Sequence, residues 1–192
     1  MTGYQWLKDI RDNFTKDIVR ALKPIGKRAL LEAYRTGHTD APRPTVEHFK
    51  FGPKGRFGNK WRHKLGNLHD SFVSGVFVDG VLVRSSVQYL DNPISQKVDK
   101  RTGKKGRQTA LEYLQRMSFG KKNGEVVLVV AAAMFYTRWL EKSGIYIVIT
   151  PAKDYINRHV PQAIATVYAK YGLKAPVRTK VIKGEYIKGL SD

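Results

Sequence analysis

The chain of 192 residues contains no cysteine, which excludes a disulfide framework and any thiolate metal site. Acidic residues are scarce, 16 against 35 Lys plus Arg, for a net charge of +19. Long apolar runs are missing as well. The longest, Val126 to Tyr136, is about half of what a membrane-spanning helix needs, and residues 1–9 lack the apolar core of a signal peptide. These absences predict a soluble, unexported protein of a reducing cytoplasm, or of a particle assembled there. Catalytic signatures are missing too. The five histidines (His38, His48, His63, His69, His159) never fall at i, i+4, and neither a P-loop nor a Gly-x-Ser-x-Gly elbow occurs. Gly144-Ile145-Tyr146 and Tyr186-Ile187-Lys188-Gly189 resemble the halves of a GIY-YIG nuclease. They lie about forty residues apart, however, and the second is interrupted by Lys188. The acids near the apolar runs (Asp79, Glu125, Glu141, Asp154) form no Asp/Glu-x-Lys triplet. The expectation is no enzyme, no metal and no cofactor.

Cationic excess argues for a polyanionic neighbour, most often nucleic acid. The plainer alternative is that it solubilises the chain or pairs with acidic subunits of an assembly. Apolar residues make up 42% of the chain, enough for one domain over 1–192 with a sizeable core.

The densest structural signal is Phe72 to Val87, two β-branched runs around Asp79-Gly80. That dipeptide suits a type I′ turn, where both central residues take φ > 0. The register it predicts sets Phe77 opposite Leu82 and Val78 opposite Val81. Period-two alternation then gives a core face of Phe72, Ser74, Val76, Val78, Val81, Val83, Ser85 and Val87. The opposite face, with Val73, Phe77, Leu82 and Arg84, is half apolar and reads as a subunit interface. Upstream, Leu7, Ile10, Phe14, Ile18, Leu22, Ile25 and Ala29 repeat at helical spacing, with Pro24 expected to kink or divide the helix and Gly37 to stop it.

A basic insertion occupies 37–65, in which aromatics (Phe49, Phe51, Phe57, Trp61) interleave with Lys54, Arg56, Lys60 and Arg62. That is the composition of a stacking and phosphate-binding arm, or of an arm that docks on a neighbouring subunit. A second basic loop, 91–107, carries Lys97, Lys100, Arg101, Lys104, Lys105 and Arg107, and is expected to be a mobile, solvated excursion. Next come a short helix near Gln108–Ser118 with Leu111, Leu114 and Met117 inward, and a buried strand at Glu125–Ala131. A short helix through Tyr136, Trp139 and Leu140, a second strand at Ile145–Ile149 and a closing helix, Ala152–Tyr171, bent at Pro161, complete the fold. The basic extension 172–192 alternates weakly and would add an edge hairpin on a partner. This order predicts an α+β fold: a mainly antiparallel sheet of about four strands flanked by a long N-terminal and a C-terminal helix, with long basic loops.

Three stretches together resemble the neck and tail-completion proteins of long-tailed bacteriophages, the gene-10-like minor tail component family. Gly66-Asn67-Leu68-His69-Asp70-Ser71 matches that family's Thr-Gly-x-Leu-x-x-Ser opening of the first hairpin, with Leu65 in place of the Thr. Tyr136-Thr137-Arg138-Trp139-Leu140-Glu141, with Gly144 slightly late, is similar to its Tyr-Ala-x-aromatic-aliphatic-Glu segment, and Pro151-Ala152 to the pair that opens its last helix. The likeness covers roughly 66–88 and 126–171. It implies a non-catalytic virion protein, assembled in the host cytoplasm, whose copies form a six- or twelvefold ring (a head–tail connector) around the DNA channel. Portal, adaptor and tail proteins would be its neighbours. Tyr136, Trp139 and Glu141 would be packing and capping residues. Lys54, Arg56, Lys60, Arg62 and the 97–107 cations would touch the phosphates of the packaged DNA end, or neighbouring proteins. The alternative is a free-standing, non-catalytic nucleic-acid-binding protein.

Overall fold

A computed structural model describes residues 3–37, 66–118, 124–142 and 148–175. Its elements run α1 (Gly3–Gly37), α2 (Asn67–Asp70), β1 (Phe72–Val78), β2 (Val81–Leu82), a 3-10 turn (Arg84–Ser86), β3 (Gln88–Tyr89), α3 (Gly106–Arg116), β4 (Val126–Ala132), α4 (Thr137–Lys142) and α5 (Thr150–Lys170). The fold is α+β, with a four-stranded antiparallel sheet between helices.

β1 is the hub of the sheet. β4 pairs with it along its whole length, from Phe72↔Ala132 to Val78↔Val126. The other edge of β1 is shared by β2 (Phe77↔Leu82, Val78↔Val81) and β3 (Val73↔Tyr89, Ser74↔Gln88). Asp79 (φ 51°) and Gly80 (φ 81°) form the turn in the left-handed region, as the sequence predicts. Beyond Val83 the continuous ladder expected from the turn is broken. The 3-10 turn inserts three residues, an odd number, so each later side chain swaps faces. Val87, expected beside Phe72, packs instead with Val73 and Phe77. Buried Ser86 repairs the gap: the Val76 N–H donates to its Oγ at 2.7 Å, and that hydroxyl donates to the Val83 carbonyl at 2.6 Å.

One sheet face, with Phe72 and Val76, packs on α1 and α5 through Ile18, Leu22, Leu30, Ala152 and Val167. α1 comes so close at Gly26 that an added Cβ would lie 2.7 Å from the Ser74 hydroxyl. Pro24 does not divide α1 and Pro161 does not divide α5. Both prolines lie on the exposed sides of their helices, as do Arg20 and Asn157, whose carbonyls the prolines cannot pair with. The opposite sheet face is covered by α3: Val73 and Phe77 are wholly buried with Ala110, Leu114 and Met117. Leu111, expected inward, is 36% exposed, and Ala110 takes the inward place.

The expected strand at 145–149 is corrected in part. Residues 145–147 lie outside the described segments, while Val148 and Ile149 form a bend rather than a strand. Val148 is nevertheless buried beside Phe72 and Met134.

Candidate functional site

The Gly66–Ser71 turn organises the surface where the cations cluster. Gly66 takes φ 77°, and a Cβ there would sit 2.5 Å from the Ile94 carbonyl oxygen, so only glycine fits. α2 then packs four buried residues, three of them polar, beneath the 91–107 loop. Asn67 donates through Nδ2 to the Lys97 carbonyl (3.1 Å), and its Oδ1 accepts the Gly106 N–H (3.1 Å). The Asp70 carboxylate accepts the N–H groups of Ile94 (3.0 Å) and Ser95 (2.8 Å), the Ser95 hydroxyl, and a contact from His69 Nδ1 (2.8 Å). Burial pushes the Asp70 carboxyl up. The hydrogen bonds from Ser95, His69 and the Ile94 and Ser95 N–H groups outweigh it and hold the group below the usual carboxylate range.

The basic loop is solvated along most of its length, as its composition suggests, yet its backbone is stapled to the fold. At its tip the Asp99 side chain accepts the N–H groups of Arg101 and Thr102, both at 3.0 Å, and the Gly103 N–H donates to the Asp99 carbonyl at 2.8 Å. The tip lies over the segment before α4. Arg101 stacks on Phe135 at 4.5 Å, and burial, with Asp99 adding its negative charge, pushes the Tyr136 phenol up to about 12.

This arrangement sorts the expected contact residues. Lys104 pairs with Glu112 at 2.5 Å, and Arg107 donates to the carbonyls of Leu90 and Asp91 while covering the Tyr89 ring. With Arg101 on Phe135, these three cations serve the fold. Lys97, Lys100 and Lys105 are exposed along the same loop. Lys54, Arg56, Lys60 and Arg62 lie outside the described residues, as do the C-terminal residues 176–192 and the side chains of Trp139 and Glu141.

The expected subunit interface needs correction. Val73 and Phe77 are sealed under α3 and Leu82 is half-buried against Leu114; only Arg84 is exposed. The hairpin alone cannot reveal this, because the covering helix comes some thirty residues later in the chain.

Asn67 and Asp70 are the residues that sequence reasoning passed over. The available signal was an Asn-Leu-His-Asp run directly ahead of a strand. Polar side chains buried at such a point must find partners, and here a neighbouring loop supplies them. Chemically, Asp70 is saturated by donors and has no capacity left for base catalysis. Among the described residues no three His, Asp or Glu side chains gather to hold a metal ion. No family model, curated protein or solved structure matches this chain.

Proposed function

We propose that this protein is a non-catalytic structural subunit of a tailed-phage neck or tail-completion ring, a head–tail connector that surrounds the DNA channel. The observation that carries the reading is that the motif behind the resemblance, Gly66–Ser71, anchors the loop that presents Lys97, Lys100 and Lys105. The order of long helix, hairpin, sheet and closing helix opened by Pro151-Ala152 supports it further. Copies would close a six- or twelvefold ring between portal or adaptor and tail proteins, and the free lysines would meet the phosphates of the DNA end without reading bases. With Val73 and Phe77 inside the fold, ring contacts fall to other surfaces.

Negative-stain imaging with light scattering tests this: closed rings, or incorporation into a neck or tail particle, support it. A second reading, a free-standing nucleic-acid-binding protein, is favoured by the same three lysines. A monomer would overturn the ring if it binds duplex DNA with a steep salt dependence that Lys97→Ala, Lys100→Ala and Lys105→Ala together reduce by a slope of about three.

A further inference from the structure

α1 is longer than the body it packs on. Its 35 residues span about 52 Å, against about 32 Å for the 21 residues of α5. The two helices end their contact at Phe14, whose ring meets Tyr168 (4.9 Å) and Tyr171 (5.1 Å) edge-on, with Asp17 pairing to Lys170 beside it. The apolar stripe that buries Ile18 and Leu22 nevertheless continues toward the N-terminus past this point. Leu7 and Ile10 continue it, 58% and 37% exposed, with Tyr4 (89%) and Trp6 (59%) flanking them, and no described residue of another element packs over the four.

We infer that this overhang is a self-association surface, covered by the same overhang of a second copy running antiparallel. Two observations select that occupant. First, between Tyr4 and Asn13 the charges cancel, Lys8 and Arg11 against Asp9 and Asp12, in a chain that carries +19 overall. Two copies meet here without the repulsion that the cationic surfaces impose. An antiparallel alignment centred between Leu7 and Ile10 sets each Leu7 level with the partner's Ile10. It also opposes the two helix dipoles, which a parallel alignment would set side by side in the same sense. Second, the area is right for a weak dimer. Taking roughly 200 Å² for a whole aromatic side chain, the four residues expose on the order of 450 Å² per copy. Paired, they bury at most about 900 Å², within the range of weak, transient contacts and short of a stable interface. This inference does not rest on the ring reading.

Sedimentation equilibrium of the full chain should show a dimer with a dissociation constant on the order of 10–100 µM. The Leu7→Glu/Ile10→Glu variant should weaken it at least tenfold and keep the wild-type midpoint of urea unfolding, since both side chains are outside the core. A wild type that stays monomeric at about 500 µM overturns the inference, as does a variant that dimerises unchanged. Binding to phosphatidylcholine vesicles containing about one-third phosphatidylglycerol, lost in the variant while the wild type sediments as a monomer, would assign the stripe to a membrane surface and also overturn it. Rings that form in the wild type and equally in the variant, with self-association otherwise unchanged, sink the overhang and leave the ring reading intact.

Discussion

Truncating Phe77 separates the two places this side chain has been assigned, an outer face of the hairpin and the floor of a core. Phe77 has no exposed surface and packs with Val73, Ala110, Leu114 and Met117. Phe77→Ala therefore removes a buried ring and leaves a cavity between β1 and α3 that neither element can fill. Such changes cost about 3–5 kcal/mol. Against a typical domain stability of about 5–15 kcal/mol, that is roughly a fifth or more of the total. For a chain of this size it lowers the thermal midpoint by roughly 6–20 °C. Phe77→Asp is worse, because a carboxylate at this position has no counter-ion and must be buried neutral or unfold the sheet. The assay is urea denaturation followed by far-UV circular dichroism, with sedimentation run on the same samples. Arg84→Ala, at an exposed position on the neighbouring turn, should change the stability by less than about 0.5 kcal/mol and is the control. Should Phe77→Ala keep the wild-type unfolding curve while losing self-association, α3 does not cover β1 and the two-faced core is wrong.

Two further predictions concern the polar groups that repair and staple the fold. Ser86→Ala strands the buried Val76 N–H at the break in the ladder, and should cost about 1–3 kcal/mol in the same denaturation assay. A loss below about 0.3 kcal/mol would mean that another acceptor replaces the hydroxyl. Asp70→Asn keeps the shape but offers one oxygen where two served the Ile94 and Ser95 donors, so it should also cost about 1–3 kcal/mol at pH 7. The native Asp70 carboxyl is held below its ordinary value. Its contribution is thus fully present above about pH 4 and lost as pH falls through the folded-state value. The stability gap between Asp70→Asn and wild type should accordingly close on acidification from pH 5 toward 2; a gap constant over that range would refute the role given to the carboxylate.

Local chemistry determined a good part of this protein. Asp79-Gly80 selects its turn through the backbone angles those two residues tolerate, and with the turn comes the pairing of Phe77 with Leu82. The helical spacing from Phe14 to Ala29 sets which side of α1 faces the sheet, and a net charge of +19 needs no fold to state. What tertiary structure decided were questions of arrival, which no local pattern contains. Alternation shows that Val73 and Phe77 share a face, but α3 must arrive from a later part of the chain to bury that face. A valine at 87 looks committed to one side until three residues of 3-10 turn carry it to the other. The 91–107 loop has the composition of a solvated segment, yet Asn67 and Asp70 hold its backbone and three of its cations are engaged within the fold. Leu7 and Ile10 belong to the same stripe as Ile18 and differ only because α5 stops at the level of Phe14. Periodicity assigns a side chain to a face. Only the length and position of the neighbouring elements decide whether that face meets protein or water.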